Sequence, residues 1–466
     1  MRIVMKFGGT LLDSEKNLQN VTHIIKLYKE LDNIELIVIV SALNGITDKI
    51  IGLKTDIKNR NKNELIKNIQ EIKEIHLNLI NKVILNDKLK IELINIIQSV
   101  LNELSDILSG ISILGDITPK TMDHLLSFGE RLSAPIVAYA LKDKGINASY
   151  LNGKEAGILT DSNFGEAKPL MDTTKLRVSH KIEPMLKENI VPIITGFIGI
   201  DQDFNITTIG RGGSDYTATI IASSINADEV WLWSDSDGLM SADKKIVDEA
   251  KVISKISFSE AIELSLFGTK YMHPRALEPV MDSKILVRIR NANDLDKKGT
   301  LIMQNVPKQS DEIVKSITSI KNTALIDVSG GGLIGSPGTA AKIFEALAKN
   351  KVNIMMISQT PSESSITIVV KQQDLDNAIT TLELKFLGKL IKRIDINDNV
   401  AVIAVVGSGM RGIKGVAART FSSIAKKDIN VIMIAQGSSE LNLAFVIDQK
   451  NCNEAVRALH YEFIKN

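Results

Sequence analysis

An ungapped internal repeat near the C-terminus limits the fold of this 466-residue chain more than any other feature. The stretch "ALIDVSGGGLIGSPGTAAKIFEALAKNKVNIMMISQTPSESSITIVV" begins at Ala324, and "AVIAVVGSGMRGIKGVAARTFSSIAKKDINVIMIAQGSSELNLAFVI" begins at Ala401. At this constant offset Gly338 matches Gly415. Each copy has the pattern strand, glycine loop, helix, strand, turn, strand. Two copies are too few for a solenoid but can pair, so we interpret them as a regulatory module, with a purely structural role as the alternative.

The sequence before the repeat has the pattern of an α/β domain. Residues 3–7 and 34–40 are apolar runs typical of buried strands, and apolar residues recur between them at helical spacing from Leu18 to Tyr28. A strand-helix-strand unit of this kind predicts a parallel sheet. Residues 53–112 have the pattern of long amphipathic helices, which we interpret as an elaboration of the same domain. Further strands are predicted at 190–195, 229–233 and 285–289, so the α/β unit extends to about residue 302.

Charge and cysteine content exclude several classes of function. With 56 basic and 55 acidic residues the net charge is +1, so the broad field that attracts nucleic acid or an anionic membrane is missing. Cys452 is the only cysteine, which excludes an internal disulfide framework and fits a reducing compartment. No apolar run is long enough to span a membrane, and the N-terminus lacks the pattern of a signal peptide. We therefore expect a cytoplasmic protein whose partners are small molecules and other copies of itself.

Two glycine pairs lie where a strand leads into a helix. "KFGGT", from Lys6 to Thr10, is either a tight turn or a phosphate cradle, because glycines let backbone N–H groups approach an anion and a lysine adds charge. It is not a P-loop, since the lysine precedes the glycines. "TTIGRGGSDYTAT" has Arg211 and Asp215 on either side of its glycines, which a mere turn does not need. We interpret this second stretch as a functional site.

Two other stretches are candidate parts of a site. "LLSFGERLSAP" contains Glu130 and Arg131, which are either functional or a solvated pair on a helix surface. "SALNGITD", from Ser41 to Asp48, follows the end of a strand, where ligand-binding loops of α/β sheets gather.

Three conspicuous features are better explained by structure than by chemistry. "DSDG" at 235–238 resembles a calcium loop, but the glycine comes too early and the twelfth position is Ile246. Trp231 and Trp233 share one face of a strand, so we expect them in the core. His273 has no histidine or cysteine companions at metal-ligand spacing, so we expect a packing or capping role.

The motifs "KFGGT", "SALNGIT", "SFGERLS", "GRGGSDYTAT", "WSDSDG" and "FGTKYMHP", in this order and followed by the repeats, resemble those of aspartate kinases. The resemblance implies an α/β chain with a three-layer α/β/α amino-acid-kinase domain at 1–302. Two ferredoxin-like (α+β) ACT domains would follow at 303–392 and 393–466, the first inserted in the second, which would include the strand near 313–320. Because the chain stops after the second repeat, we expect the monofunctional form without a fused homoserine dehydrogenase.

The resemblance implies ATP-dependent conversion of L-aspartate to 4-phospho-L-aspartate, the first step of lysine, threonine and methionine biosynthesis. Lys6 and Asp215 would be catalytic. Mg²⁺ would be held mainly by the ATP phosphates rather than by a protein site. The residues expected at ATP are Lys6, Phe7, Gly8, Gly9, Thr10, Ser234, Asp235, Met240, Lys245, Gly268 and Lys270. Those expected at aspartate are Ser41, Thr47, Glu130, Arg211, Gly213 and Ser214.

The chain departs locally from the family pattern. Leu11 stands where a serine is usual and Asp48 where asparagine is common, while Met240 replaces a tyrosine and Lys244-Lys245 replaces Pro-Arg. The first repeat has Thr360, Pro361 and, where the second has Asn442, Ser365. We expect feedback inhibition by threonine or lysine through the ACT domains, and a homodimer or higher oligomer. The alternatives are an amino-acid kinase for another carboxylate, or a catalytically silent amino-acid sensor.

Overall fold

The computed structural model describes residues 1–31, 33–58, 62–267, 272–306, 313–333, 337–359 and 364–465. In chain order, the elements of its first half are β1 (Arg2–Phe7), α1 (Glu15–Lys29), β2 (Glu35–Val40), α2 (Ile46–Lys58), α3 (Lys62–Val83), α4 (Asp87–Leu114), α5 (Pro119–Asp143), β3 (Ala148–Leu151), α6 (Gly153–Ala156), α7 (Met171–Lys187), β4 (Val191–Thr195), β5 (Ile198–Ile200), β6 (Ile206–Thr208), α8 (Gly213–Ser224) and β7 (Glu229–Ser234).

The second half continues with β8 (Lys255–Ser257), α9 (Phe258–Leu266), β9 (Leu286–Asn291), β10 (Thr300–Met303), β11 (Ser316–Ser329), α10 (Thr339–Lys349), β12 (Ile354–Gln359), β13 (Ser365–Lys371), α11 (Leu375–Phe386), β14 (Arg393–Val406), α12 (Val416–Ala425), β15 (Val431–Ala435), β16 (Asn442–Asp448) and α13 (Cys452–His460). The chain divides into two compact units, which are described separately. Unit 1 comprises Met1–Leu239, Ser254–Phe258 and Tyr271–Val306, and unit 2 comprises Met240–Ile253, Ser259–Lys270 and Pro307–Asn466.

Unit 1 is built on a largely parallel sheet. Within the described chain its strand order is β3-β4-β2-β1-β7-β9-β10-β8, and the pairs from β3 to β9 are parallel. The register places Lys6 beside Ile39 of β2 and Leu232 of β7. Because parallel strands end at the same edge, the loops after β1, β2 and β7 gather at one side of the sheet. The motif "KFGGT" begins at this edge, at the end of β1.

Alternating side chains of β1 supply both faces of that sheet. Ile3, Met5 and Phe7 pack with α1 and α5 in one core cluster, whereas Val4, also fully buried, points to the opposite face. The ring of Phe7 stacks on that of Trp233, with centroids 5.9 Å apart. Trp231 and Trp233 are buried, which confirms the prediction of a core role for both.

The stretch predicted to be a helical elaboration forms α2, α3 and α4. Buried leucines and isoleucines of these helices belong to the same core cluster as the sheet. Helix α4 begins at the N-cap Asn86, whose side chain accepts from two backbone N–H groups, and ends at Gly115 in the left-handed conformation. Among the described residues, no helix is long and apolar enough to cross a membrane.

Unit 2 contains the repeat as two matching halves. In the described part of the chain, the strand order β12-β13-β11-β14-β16-β15 places each half on one side of the β11–β14 ribbon. Helices α10 and α12 both follow a glycine with positive φ, Gly338 at 82° and Gly415 at 87°. The glycine shared by the two copies is therefore required by backbone conformation. The first part of β11, from Ser316, pairs with the end of β14, and the insertion of one copy in the other stays a prediction.

Two segments from before the repeat pack into unit 2. Met240 and its neighbours join the core of the second copy, and Oγ of Ser241 bonds Nε2 of His460 at 2.9 Å. On α9, Oε1 of the buried Glu260 accepts from the Ser408 N–H at 2.6 Å. The mixed architecture of a parallel-sheet domain followed by antiparallel repeats confirms the predicted fold class.

Candidate active site

A cavity of about 710 Å³ opens at the carboxyl ends of β1 and β2 in unit 1. It is formed by the loops after these strands, by the inner face of α5 and by the loop that leads into α8. Nine of the predicted site residues line it, and these are Lys6, Gly9, Ser41, Thr47, Glu130, Arg211, Gly213, Ser214 and Asp215. Parallel-strand geometry thus brings together motifs that are far apart in sequence.

Lys6 and Asp215 form an ion pair inside this cavity. Nζ of Lys6 is 2.7 Å from Oδ1 of Asp215, and the two side chains are only 14% and 10% exposed. Lys6 is fixed by the register of β1, and Asp215 lies in the first turn of α8. The first backbone N–H groups of a helix have no partner within the helix and carry partial positive charge. A lysine ammonium and a helix start therefore face the same space.

Close packing explains one glycine of "KFGGT". A Cβ on Gly9 would lie 2.6 Å from the carbonyl oxygen of Ala42, so the loops after β1 and β2 approach too closely for a side chain. Gly8 differs, because among the described residues a Cβ there would meet only Nζ of Lys6, at 3.7 Å. A side chain at residue 8 would occupy the space in front of the ammonium. The first glycine keeps that space open, and the second lets the loops meet.

Glu130 is a buried carboxyl group on the wall of the cavity. It is 4% exposed, its Oε1 accepts from the Ala42 N–H at 3.1 Å, and among the described residues Oε2 has no hydrogen-bond partner. Burial raises the pKa of Glu130 to about 8, although the Ala42 N–H and the charge of Lys6 oppose this shift. A buried carboxyl with an unused oxygen is suited to receive a cationic donor from a ligand.

The residue after Glu130 has a different environment. Arg131 bonds both carboxylate oxygens of Glu103 and lies over the ring of Phe128. The interpretation of Glu130 and Arg131 as a solvated pair is therefore wrong, because Glu130 faces the cavity while Arg131 ties α5 to α4.

The second glycine motif forms the opposite wall. Gly212 has φ of 69°, and a Cβ on it would lie 2.3 Å from Cβ of His273. Arg211 is exposed and lies two residues before the start of α8, and a guanidinium can bind a carboxylate through two parallel N–H groups. Nδ1 of His273 accepts from the Arg275 N–H at 3.3 Å, which confirms the predicted capping role.

The sequence did not single out Asp123, which also lines the cavity. It is 1% exposed and accepts hydrogen bonds from the backbone N–H of Gly165 and from both the N–H and the hydroxyl of Thr208. Burial raises its pKa, and the three donors oppose the rise. The available signal is its position two helical turns before Glu130, on the same face of α5.

Other residues predicted at ATP lie elsewhere, and their roles stay predictions. In the described part of the chain the cavity lining does not include Phe7, Gly8, Thr10, Ser234 or Asp235. Phe7 is buried against Trp233, Thr10 and Asp235 are exposed, and Oγ of Ser234 contacts Ser236.

The remaining ATP predictions belong to unit 2 or cannot be placed. Met240 packs its apolar side chain into a hydrophobic core, and Lys245 is exposed with its backbone N–H on Asp243. Gly268 and Lys270, like Thr360 and Pro361 of the first repeat, lie outside the described residues.

The departure at residue 11 has a structural explanation. Leu11 is 3% exposed and belongs to the core beneath the glycine turn. An apolar side chain here stabilises the loop by burial rather than by a hydroxyl contact.

The described residues contain no candidate metal site: no group of three or more histidine, cysteine or acidic side chains among them is placed to hold an ion.

Comparison with known proteins shows which family contains this part of the chain. The model of the amino acid kinase family matches residues 1–291, the part that contains every described lining residue. The chain belongs to the amino acid kinase family. C-terminal to this match, an ACT-domain model matches residues 326–386 and 403–463, which are the two copies of the repeat.

Similar amino acid kinases include plant enzymes. The chain is 33% identical over 468 residues to the chloroplastic bifunctional aspartokinase/homoserine dehydrogenase 2 of Zea mays, covering 99% of this chain and 50% of that protein. It is 28% identical to the chloroplastic aspartokinase 1 of Arabidopsis thaliana, covering 99% and 80%. The chain thus spans about half the length of the first of these curated relatives.

A solved structure matches over nearly the whole chain. E. coli aspartokinase III in complex with aspartate and ADP (R-state) has a TM-score of 0.83 at 25% identity, covering 99% of both chains. The same enzyme in complex with lysine and aspartate (T-state) has a TM-score of 0.82, again at 25% identity and 99% coverage of both.

Proposed function

We propose that this chain transfers the γ-phosphoryl group of ATP to the side-chain carboxylate of L-aspartate, giving 4-phospho-L-aspartate and ADP. One observation carries the proposal: a single cavity holds the Lys6–Asp215 pair beside a buried, incompletely bonded Glu130 carboxyl and the exposed Arg211. Lys6 offers a cation for a phosphate, Glu130 a hydrogen-bond acceptor for an ammonium, and Arg211 a guanidinium for a carboxylate. An amino acid would use the acceptor and the guanidinium for its ammonium and α-carboxylate. If it has a second carboxylate, that group can receive the phosphate held by the cation.

Aspartate would be held by its α-substituents. Its ammonium would donate to the free oxygen of Glu130, and Arg211 would bind its α-carboxylate in bidentate fashion. Ser41, Thr47 and Ser214 also line the cavity and would complete the contacts together with Gly213. This binding mode directs the side-chain carboxylate toward Lys6.

The end of the cavity at Lys6 fits a phosphate. The absence of a side chain at Gly8 leaves space in front of the Lys6 ammonium, and the start of α8 adds partial positive charge. Asp215 would keep Lys6 oriented in the absence of the nucleotide. Mg²⁺ bound to the ATP phosphates would neutralise part of their charge.

The transfer itself needs no general base. An aspartate side chain has an ordinary pKa of about 3.9 and is already ionised at neutral pH. One of its oxygens forms the new bond to the γ-phosphorus while the bond from that phosphorus to the ADP oxygen breaks. The barrier arises from bringing an anion to a polyanion, so Lys6 and the helix start would act by stabilising negative charge.

The ACT domains support regulation by an amino acid. The matched E. coli enzyme has been captured with lysine and aspartate in a T-state, and this chain aligns with that structure over 99% of its length. We therefore propose feedback inhibition by lysine, with threonine as the other candidate, and assembly into a homodimer or larger oligomer through the ACT domains.

The test is an ATP-dependent hydroxamate assay of the full chain with aspartate, glutamate and N-acetylglutamate in parallel. We expect hydroxamate from aspartate alone, since N-acetylglutamate lacks the ammonium that Glu130 receives and glutamate is one methylene longer. Preference for either of the other substrates would overturn aspartate as the acceptor. No product from any of the three would favour a silent sensor.

A further inference from the structure

Asp123 connects the two walls of the cavity. Its Oδ2 accepts from the backbone N–H of Gly165 at 2.9 Å and from that of Thr208 at 2.8 Å, and its Oδ1 accepts from the Thr208 hydroxyl at 2.8 Å. Asp123 lies on α5, whereas Gly165 and Thr208 come from two other segments. One carboxylate therefore joins three parts of the chain.

These parts carry the groups that would hold the amino acid. Asp123 and Glu130 share a face of α5, because residues seven apart are separated by two helical turns. Thr208 ends β6, and Arg211 follows it by three residues, in the loop that enters α8. The carbonyl oxygen of Gly165 faces Gly210, with 3.4 Å to the position of a Cβ. The contacts of Asp123 thus fix the Arg211 loop against the helix that carries Glu130.

The carboxylate is well suited to this task. A buried carboxylate without partners is costly, but three donors satisfy Asp123 and make the loop positions interdependent. Misplacement of a binding group by about 1 Å is enough to weaken recognition severely. A small change at Asp123 would therefore affect substrate binding before it affects the fold.

We propose that Asp123 and the Thr208 hydroxyl form a positioning pair that sets the distance between Glu130 and Arg211. This distance determines how tightly the ammonium and the α-carboxylate of the amino acid are bound. Among the described residues, the hydrogen bonds that Asp123 accepts come from Gly165 and Thr208, whereas Lys6 pairs with Asp215. This inference rests on the proposed function for the identity of the substrate, but the loop geometry that it describes can be tested separately.

The experiment compares Thr208→Val, which removes the hydroxyl at nearly constant shape, with Asp123→Asn and the double variant in the full chain. Thr208→Ser restores the hydroxyl and serves as the rescue. Thr207→Val is the matched control, because the neighbouring buried hydroxyl bonds Thr160 at 2.7 Å rather than Asp123. KM for aspartate, KM for ATP and the melting temperature are measured for each.

We expect Thr208→Val to raise KM for aspartate about threefold to tenfold while KM for ATP stays within about twofold. The double variant should resemble Asp123→Asn alone, and Thr208→Ser should recover most of the loss. Thr207→Val should lower the melting temperature, but it should not change KM for aspartate more than KM for ATP. Equal effects of Thr207→Val and Thr208→Val, or a joint rise in both KM values, would overturn the inference.

Hydrogen exchange distinguishes failure of this inference from failure of the proposed function. In the unliganded protein, backbone amides of residues 208–213 should exchange faster in Thr208→Val but not in Thr207→Val. Unchanged exchange in Thr208→Val would overturn the positioning pair whatever the enzyme phosphorylates. A wild-type chain without aspartate kinase activity would remove the proposed function alone.

Discussion

Nζ of Lys6 lies 2.7 Å from Oδ1 of Asp215 inside the cavity, although the two residues are separated by most of unit 1. The pair is nearly buried, so its charges interact more strongly than a surface pair would. In the absence of a nucleotide, Asp215 holds the one lysine of the motif "KFGGT" in the position where a phosphate would need it. In the proposed function, this pair places the lysine ammonium at the phosphate end of the site.

Replacement of Lys6 by alanine should abolish most turnover. Loss of a cation that stabilises transition-state charge typically costs about a hundred- to thousandfold in kcat. Thermal melting should show that the variant still folds. Lys54→Ala is the control, since Lys54 also lines the cavity but is exposed and lies on α2, so its loss should change kcat only a few-fold. A Lys6→Ala enzyme with near-normal kcat would remove the assignment of Lys6.

Glu130 should make aspartate binding depend on pH. Its pKa of about 8 means that the unliganded carboxyl is largely protonated at neutral pH and cannot offer a charge to the ammonium. KM for aspartate should therefore fall as the pH rises from about 7 to 9, by at most about tenfold per pH unit. Glu130→Gln, which cannot ionise, should show a higher KM without this slope. A KM that is flat with pH in the wild type would contradict the prediction.

The same pKa shift predicts a stability change without substrate. Because the folded pKa lies above the ordinary value of 4.5, the stabilising contribution of Glu130 is full below about pH 4.5. It is lost as the pH rises through about 8. Denaturant unfolding at several pH values checks this, and Glu130→Gln should remove that part of the pH dependence.

The two glycines Gly9 and Gly52 should respond oppositely to alanine. A Cβ on Gly9 would lie 2.6 Å from the Ala42 carbonyl oxygen, so Gly9→Ala should cost about 1–3 kcal/mol of unfolding free energy and displace Lys6. Among the described residues, nothing lies within 4 Å of a Cβ on Gly52 in α2, so Gly52→Ala should stabilise by up to about 1 kcal/mol. Urea unfolding of both variants measures this difference, and equal effects would contradict the close approach.

Titration with amino acids tests the regulatory role of the repeats. We expect lysine or threonine to lower aspartate kinase activity, since the repeats are ACT domains and an aligned enzyme has been captured with lysine. Methionine and alanine serve as controls for general amino-acid effects. Activity that is unchanged by both lysine and threonine would contradict feedback inhibition.

Sequence reasoning predicted the parts of the fold and site that depend on local pattern. Buried strands such as β1 and the glycine starts of α10 and α12 follow from periodicity and backbone conformation, so they were predictable. The resemblance to aspartate kinases predicts Lys6, Glu130 and Arg211 as site residues, and all three line one cavity.

What the sequence did not predict depends on contacts between distant segments. The role of Asp123 arises from Gly165 and Thr208, 42 and 85 residues away. The packing of α9 against Ser408 is of the same kind, with 148 residues between the partners. Met240 was predicted at ATP, but its apolar side chain is buried in a core of unit 2. No local pattern specifies such pairings.

Aspartate has two carboxyl groups, and the one that becomes the hydroxamate shows which of them the enzyme phosphorylates. ATP, Mg²⁺, aspartate and hydroxylamine are incubated with the full chain, and the product is compared by chromatography and mass spectrometry with the two aspartate monohydroxamates. Because Arg211 is proposed to hold the α-carboxylate, we predict the side-chain hydroxamate alone, at a rate that falls at least about a hundredfold in Lys6→Ala. Formation of the α-hydroxamate, or equal rates in the wild type and Lys6→Ala, would contradict it.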